Sequence, residues 1–165
     1  MSNLPAVKSD KDVTGGIIQL VSFELAGEEY GVDVLTVREI IRLPSITKMP
    51  NAPHFVEGII NLRGTVVPII SLRRRFGLAD TEAGRNARIL VMETTGGLNG
   101  FIVDAVAEVI RISSAEIQPP PTVACSATAQ ECITGIVNHG ERLLVVLDLN
   151  RLFSPEEQAL LDAIG

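Results

Sequence analysis

Short runs of aliphatic and β-branched residues, each ended by a turn, follow one another along this chain. Apolar positions that alternate with polar ones between turn residues are typical of half-buried β-strands. In the first half the pattern predicts five strands, at Ile18–Leu25, Glu29–Val32, Glu39–Leu43, Gly58–Leu62 and Thr65–Leu72. Hairpin turns are expected at Ala26-Gly27-Glu28 and at Arg63-Gly64.

The second half of the chain repeats the first. Gly58–Phe76 aligns without a gap with Gly135–Phe153, 77 residues later, and six of nineteen positions are identical. Upstream, VREIIR at Val37–Arg42 matches VAEVIR at Val106–Arg111. Five further strands are predicted, at Ala87–Glu93, Gly100–Val103, Glu108–Ile112, Cys132–Asn138 and Glu141–Leu149. This self-similarity indicates a tandem duplication of a unit of about 70 residues.

Five short strands in so small a unit favour a closed barrel, because closure removes exposed strand edges. We predict an all-β fold of two tandem five-stranded barrels, the first over about 15–80 and the second over about 85–153. The polar segment 77–86 marks the boundary between them, and residues 1–14 are expected to form a flexible tail. Ser154-Pro155-Glu156-Glu157 has the pattern of a capping box, which predicts a short C-terminal helix over 154–164.

The composition narrows the class of protein. Hydrophobic residues make up 46% of the 165 residues, with 17 Val and 17 Ile, whereas aromatic residues make up 4%. The apolar runs are too short for a spanning helix, and the N-terminus lacks a signal-peptide core, so a cytoplasmic location is expected. A net charge of −6 argues against nucleic-acid binding.

Signatures of enzymes are absent from the sequence: it has no P-loop, no dinucleotide fingerprint and no nucleophile elbow. His54 and His139 are interpreted as surface or satisfied histidines, and Asp33 and Asp104 as capping or turn residues. The Arg73-Arg74-Arg75 run is interpreted as the solvated end of a strand or turn. Cys125 and Cys132 are too few for a thiolate zinc site, although a small β-barrel enzyme with one of them as nucleophile stays open as a remote alternative.

Three segments together resemble the CheW family of chemotaxis adaptor proteins. They are EEYGVDVLTVREIIRLPSITKMPNAPHFVEGIINLRGTVVPIISLRRRFG, FIVDAVAEVIRI and ECITGIVNHGERLLVVLDLNRLF, and the resemblance covers about residues 17–162. It implies two SH3-like barrels and a non-catalytic, cytoplasmic scaffold without cofactor or metal, expected to be monomeric alone. Family members couple the cytoplasmic tips of membrane chemoreceptors to the histidine kinase CheA in two-component signalling arrays. The pathway served could equally be a pilus-type or other non-flagellar system.

The resemblance also implies where the partners bind. The positions that match the family's receptor groove are Val37, Glu39, Arg63, Val106 and Val109. Those that match its kinase-facing surface are Val21, Val32 and Leu35. A second kinase contact matches Gln118, Thr122 and Val123, where this sequence departs from members with a charged residue and a Phe. Ser71 is another departure, because many members have Asp there and the second repeat keeps Asp148.

Overall fold

The computed structural model describes residues 16–79, 81–94, 97–120 and 131–164. In the first repeat the strands are β1 (Ile17–Leu25), β2 (Glu28–Asp33), β3 (Val37–Arg42), β4 (Val56–Leu62) and β5 (Thr65–Ser71). In the second they are β6 (Arg88–Thr94), β7 (Gly97–Val103), β8 (Ala105–Ser113), β9 (Ile133–His139) and β10 (Arg142–Leu147). Helix α1 (Leu72–Arg75) follows β5, and α2 (Pro155–Ile164) ends the described chain. The predicted tail over 1–14 lies outside the described residues.

The strands form two five-stranded sheets. The first sheet has the order β8-β1-β2-β10-β9, and the second has the order β3-β6-β7-β5-β4. The predicted fold class, an all-β protein with two five-stranded units and a short C-terminal helix, is confirmed. None of the helices in the described part of the chain is long and apolar enough to cross a membrane.

Each sheet contains strands from both repeats. The β1–β2 hairpin of the first repeat lies between β8 and β10 of the second, and the β6–β7 hairpin lies between β3 and β5. Each hairpin is thus inserted between strands of the other repeat. It pairs with one of them in parallel, β2 with β10 and β7 with β5. The expected assignment of 15–80 to one barrel and 85–153 to the other is therefore wrong for the sheets. Hydrophobic patterning cannot distinguish the two arrangements, because either copy of a repeated hairpin suits the same neighbours.

Equivalent contacts join the two ends of each sheet. No strand ladder closes either sheet within the described residues, but isolated bridges link Thr47 to Ile59 and Gln118 to Ile136. Gly58 and Gly135, paired in the repeat, lie under these bridges. A Cβ on Gly58 would stand 2.2 Å from the Thr47 carbonyl oxygen, and one on Gly135 would stand 2.8 Å from that of Gln118. The repeated glycine is therefore required by a close approach of two chain segments.

Apolar side chains form three clusters. The central cluster lies between the sheets and takes Phe23 and Val32 from the first sheet, Leu90 and Phe101 from the second, and Leu161 from α2. The other two clusters each belong to one sheet. The first-sheet cluster comprises Leu20, Ile110, Ile112, Val137, Leu144 and Val146. The second-sheet cluster comprises Ile60, Val67, Ile69, Ile89 and Val91. The abundant Val and Ile residues thus fill two sheet interiors and the layer between them.

Both repeats cap a helical turn directly after their last strand. The Ser71 hydroxyl accepts from the Arg74 N–H at 3.3 Å, and the Asp148 carboxylate accepts from the Asn150 N–H at 3.0 Å. The strands predicted to reach Leu72 and Leu149 therefore end at Ser71 and Leu147. Ser71 keeps the capping function that an acid performs in the second repeat.

Asp33 and Asp104, equivalent in the repeat, have different roles. Asp33 caps the helical turn after β2 by accepting from the Leu35 N–H at 2.9 Å, as expected. Asp104 instead accepts from the Ala26 N–H at 2.8 Å and from the Arg73 Nε and Nη2 atoms at 3.1 and 2.6 Å. Burial alone would raise the pKa of Asp104, but the hydrogen bonds from Arg73 and Ala26 lower it below its ordinary value.

The three consecutive arginines are not the solvated end of a strand or turn. They lie in α1, and their side chains are only 19%, 22% and 11% exposed. The ion pairs are Arg73–Asp104 at 2.6 Å, Arg74–Glu57 at 2.8 Å and Arg75–Glu157 at 2.7 Å. Arg75 also donates to the Leu152 carbonyl and lies over the Phe55 and Phe153 rings. The arginines attach three different segments to α1, a role that the sequence pattern alone does not reveal.

The C-terminal helix begins as predicted. The Ser154 hydroxyl accepts from the Glu157 N–H at 3.1 Å, and the Glu157 carboxylate accepts from the Ser154 N–H at 2.9 Å, which completes a capping box. Leu161 is 1% exposed in the central cluster, and Ile164 packs against it. The helix therefore covers the layer between the sheets.

Candidate functional site: the edges of the central cluster

The β4–β5 turn presents Arg63. Arg63 and Gly64 have φ values of +51° and +88°, and Leu62 pairs with Thr65, as in a two-residue hairpin turn. The Gly64 N–H donates to the Asn61 side-chain oxygen at 2.8 Å, which stabilises the turn. The Arg63 side chain on this turn is 70% exposed.

Glu39 on β3 accepts a hydrogen bond from the Arg63 guanidinium. This hydrogen bond and the attraction of the carboxylate raise the pKa of Arg63. The two sequence-predicted polar positions of the receptor groove are thus brought together. The pair leaves most of the guanidinium accessible, so it can still donate to a partner.

An apolar edge lies on β3. Val37 is opposite Met92 and Ile40 is opposite Leu90, and both of these partners belong to the central cluster. Because opposite residues of neighbouring strands share a face, Val37 and Ile40 continue the central cluster towards the surface. Ile40 is 42% exposed. It belongs with the predicted groove residues, although the resemblance does not include it.

A matching apolar edge lies on β8. Val106 is opposite Phe23 and Val109 is opposite Val21, again residues of the central cluster. Val109 is 53% exposed, and Val106 is half-buried. In the repeat, Val106 corresponds to Val37 and Val109 to Ile40. This correspondence is the signal that would have identified Ile40.

The predicted kinase-facing residues divide into two groups. Leu35 lies on the helical turn after β2 and is 87% exposed. Val21 and Val32 are 2% and 1% exposed inside the central cluster. Direct contact by Val21 and Val32 is therefore a wrong expectation, because strands β1 and β2 turn these side chains inward. They form the packing beneath the surface rather than the surface itself.

The second predicted kinase contact is described in part. Gln118 is exposed, and its backbone forms the bridge to Ile136 through hydrogen bonds of 2.9 Å in both directions. Thr122 and Val123 lie outside the described residues. Gln118 is therefore an exposed residue with a structural role through its backbone.

Burial argues against thiol chemistry at Cys132. Its side chain is fully buried in the central cluster, and desolvation raises its pKa to about 11. A thiol of this kind is almost entirely protonated near neutral pH and is a poor nucleophile. Cys125 lies outside the described residues.

The comparisons with known proteins agree with this architecture. A family model described as the CheW-like domain matches residues 19–157. The chemotaxis protein CheW of Klebsiella aerogenes is 37% identical over 147 residues, which cover 89% of this chain and 88% of that protein. The chemotaxis protein CheW of Treponema pallidum is 40% identical over 143 residues, which cover 84% of each chain.

A solved structure shows the same fold. The crystal structure of the scaffolding protein TtCheW from Thermoanaerobacter tengcongensis matches with a TM-score of 0.78 and 37% identity, over 91% of this chain and 96% of that one. Sequence and fold thus agree over most of the length of both proteins. The chain therefore belongs to the CheW family of chemotaxis proteins, which are adaptor scaffolds and not enzymes.

Proposed function

We propose that this protein couples the cytoplasmic tips of chemoreceptors to the histidine kinase CheA, and that it works in the cytoplasm at membrane-associated receptor arrays. The observation that carries the proposal is the pair of repeat-related apolar edges on β3 and β8, with the exposed Arg63 beside one of them. Exposed apolar side chains next to a multi-donor arginine are typical of protein-binding surfaces.

The receptor site comprises Val37, Glu39, Arg63, Val106 and Val109, to which we add Ile40. A receptor tip is a helical bundle, and an amphipathic helix binds through apolar side chains at intervals of one turn. The valines and Ile40 supply the apolar contacts for such a helix. Arg63 supplies charge-assisted hydrogen bonds, and Glu39 holds the guanidinium in position without covering it.

The kinase site includes Leu35. A leucine that is 87% exposed on a capped helical turn loses apolar contact with water when a partner covers it, which favours binding. Val21 and Val32 support this surface from within the central cluster. Gln118, Thr122 and Val123 are proposed to form the second kinase contact.

The receptor assignment is tested with purified receptor-tip fragments and the variants Arg63→Ala and Val109→Asp. Both should weaken receptor binding by at least about tenfold, in line with the loss of an interface hot spot. Arg151→Ala and Leu160→Asp are matched controls, because their side chains have similar exposure to those of Arg63 and Val109. Equal binding by all four variants would contradict the receptor site.

The kinase assignment is tested separately with Leu35→Asp and the regulatory domain of CheA. This variant should lose kinase binding and keep receptor binding, whereas Val109→Asp should show the opposite result. If Leu35→Asp binds both partners as tightly as the wild type, the proposed kinase surface is wrong. Circular dichroism of each variant establishes that the fold is intact.

A further inference from the structure

A polar layer lies at one end of the interior of the first sheet. Glu29 on β2 is 5% exposed, and its Oε2 accepts from the Ser22 hydroxyl at 2.6 Å. Its Oε1 is buried and has no hydrogen-bond partner among the described residues. A buried carboxylate oxygen without a partner costs considerable free energy, so a ligand for it is expected.

Two further ligand groups lie close to the Glu29 carboxylate. The His139 Nε2, at the end of β9, lies 3.3 Å from the Glu108 Oε2 on β8. One ligand atom from each of Glu29, Glu108 and His139 lies within 4.8 Å of the other two. Three strands of one sheet thus direct two carboxylates and one imidazole to a common point.

The second sheet shows that the fold does not need this layer. In the β1–β2 hairpin, Ser22 is opposite Gly31 and Glu29 is opposite Glu24. In the equivalent β6–β7 hairpin, Val91 is opposite Gly100 and Leu98 is opposite Glu93. Val91 and Leu98 therefore occupy the places of Ser22 and Glu29. Leu62 corresponds to His139 in the repeat, and all three apolar residues belong to or pack against the second-sheet cluster. Ser22, Glu29 and His139 are thus polar in the first sheet and replaced by apolar residues in the second, whereas Glu108 keeps an acidic counterpart, Glu39.

The donor set indicates the class of ion. Imidazole nitrogen with carboxylate oxygen is typical of Zn²⁺ and related divalent transition metals, whereas Mg²⁺ and Ca²⁺ favour oxygen donors alone. Two ligands of a tetrahedral zinc ion lie about 3.3–3.6 Å apart, which the Glu108–His139 separation of 3.3 Å already matches. The Glu108 and His139 side chains are 57% and 35% exposed, so an ion can enter from solvent and the two groups can adjust to Glu29.

We propose that Glu29, Glu108 and His139 bind a divalent transition-metal ion of the Zn²⁺ class. Ser22 acts as an outer partner that orients the Glu29 carboxylate, as hydrogen-bonded groups behind metal ligands commonly do. The ion would join β2, β8 and β9 and so connect the two ends of the first sheet. It would also fix the β8 strand that carries Val106 and Val109.

The test uses the untagged full chain, freed of metal with a chelator and titrated with Zn²⁺ by calorimetry. One equivalent should bind, and Glu29→Gln, Glu108→Gln and His139→Leu should each weaken binding by at least about tenfold. His54→Leu, which changes the other histidine, should bind like the wild type. Ser22→Ala should show an intermediate loss. Titration with Ca²⁺ should show much weaker binding.

Spectroscopy with Co²⁺ as the probe identifies the ligands. The bound ion should give the visible bands of a four-coordinate nitrogen and oxygen site, and His139→Leu should remove them. A thiolate charge-transfer band would place the metal on a cysteine and overturn the proposal. So would the absence of Zn²⁺ binding by the wild type, or unchanged binding by Glu108→Gln, whose exposed side chain can be altered without disturbing the core.

Discussion

Among the single residues, the two glycines under the bridges have no room for a side chain. Gly58 and Gly135 are identities of the repeat, and in each sheet a second chain segment crosses directly over the missing side chain. The sequence marks these glycines as repeated but not as crowded. The reason appears only when the segment around Thr47 is placed over β4, and that around Gln118 over β9.

We expect Gly58→Ala to destabilise the protein by about 2–3 kcal/mol or more, because the new methyl group overlaps the Thr47 carbonyl, which the bridge to Ile59 holds in place. Gly84→Ala is the control, since a Cβ there meets nothing within 4 Å. Its unfolding free energy should stay within about 0.5 kcal/mol of the wild type. Urea unfolding of both variants measures the difference, and equal stability of the two would contradict the crowding argument.

The Ser22–Glu29 contact allows a second prediction for single residues. In the presence of chelator, Ser22→Ala should lower the unfolding free energy by about 1–3 kcal/mol, because it removes the hydroxyl that donates to the buried Glu29 carboxylate. The double variant Ser22→Ala with Glu29→Leu should recover this loss, since it replaces both polar groups by apolar ones, as at Leu98 in the second sheet. A double variant less stable than Ser22→Ala would contradict this view of the layer.

Among the elements, α2 depends on Glu157, whose side chain both caps the helix and binds Arg75. The sequence predicts the capping box, and Glu157 completes it. The same carboxylate binds the Arg75 guanidinium through contacts of 2.7 and 2.8 Å, which attaches the helix to α1. This second contact was not predictable, because 82 residues separate the partners.

The ion pair of α2 leads to a pH prediction. Hydrogen bonding from Arg75 lowers the pKa of Glu157 below its ordinary value of 4.5, with smaller help from Ser154 against the effect of burial. The carboxylate therefore stabilises the fold fully above about pH 4.5, and this contribution is lost as the pH falls through the lowered folded-state value. Glu157→Gln should show a shallower loss of stability on acidification.

Thermal unfolding between neutral and acidic pH measures this slope. Glu156→Gln is the matched control, because it changes a neighbouring exposed carboxylate of the same helical turn. It should keep most of the wild-type slope. Part of the slope should also survive in Glu157→Gln, because Asp104 has a lowered pKa of its own. Identical slopes in Glu157→Gln and the wild type would contradict the assignment.

For the molecule as a whole, the exchange of hairpins ties the two repeats together. Each sheet needs three strands from one repeat and two from the other, and the central cluster draws on both sheets and on α2. Neither repeat alone contains a complete sheet. Folding and stability should therefore be properties of the whole chain, even though the sequence divides into two similar halves.

Splitting the chain tests this dependence. Fragments 1–80 and 81–165 should each lack a cooperative unfolding transition when expressed alone, because the hairpin of each loses both neighbouring strands. Co-expressed, they should assemble into a folded complex. A protease site inserted into the segment 81–86 of the full chain is the control and should change the melting temperature little. A fragment that folds cooperatively by itself would contradict the exchanged arrangement.

The sequence by itself determined the features that depend on neighbouring residues. Strand periodicity, the repeat, the turn at Arg63-Gly64 and the capping box at Ser154 each depend on residues close together in the chain, so the elements and the all-β class followed from them. The resemblance supplied the candidate surface, of which Glu39 and Arg63 are paired and Val109 and Leu35 are exposed.

Only the tertiary structure decided which strands share a sheet, which residues are buried and which charges meet. The hairpins of the two repeats have the same hydrophobic pattern, so either could lie between the same neighbouring strands. The pattern therefore could not specify the hairpin exchange. Val21 and Val32 have the same apolar character as an exposed contact residue, and only packing places them inside. The pairs made by Arg73, Arg75 and His139 join residues at least 31 positions apart, a relation that exists only after the chain has folded.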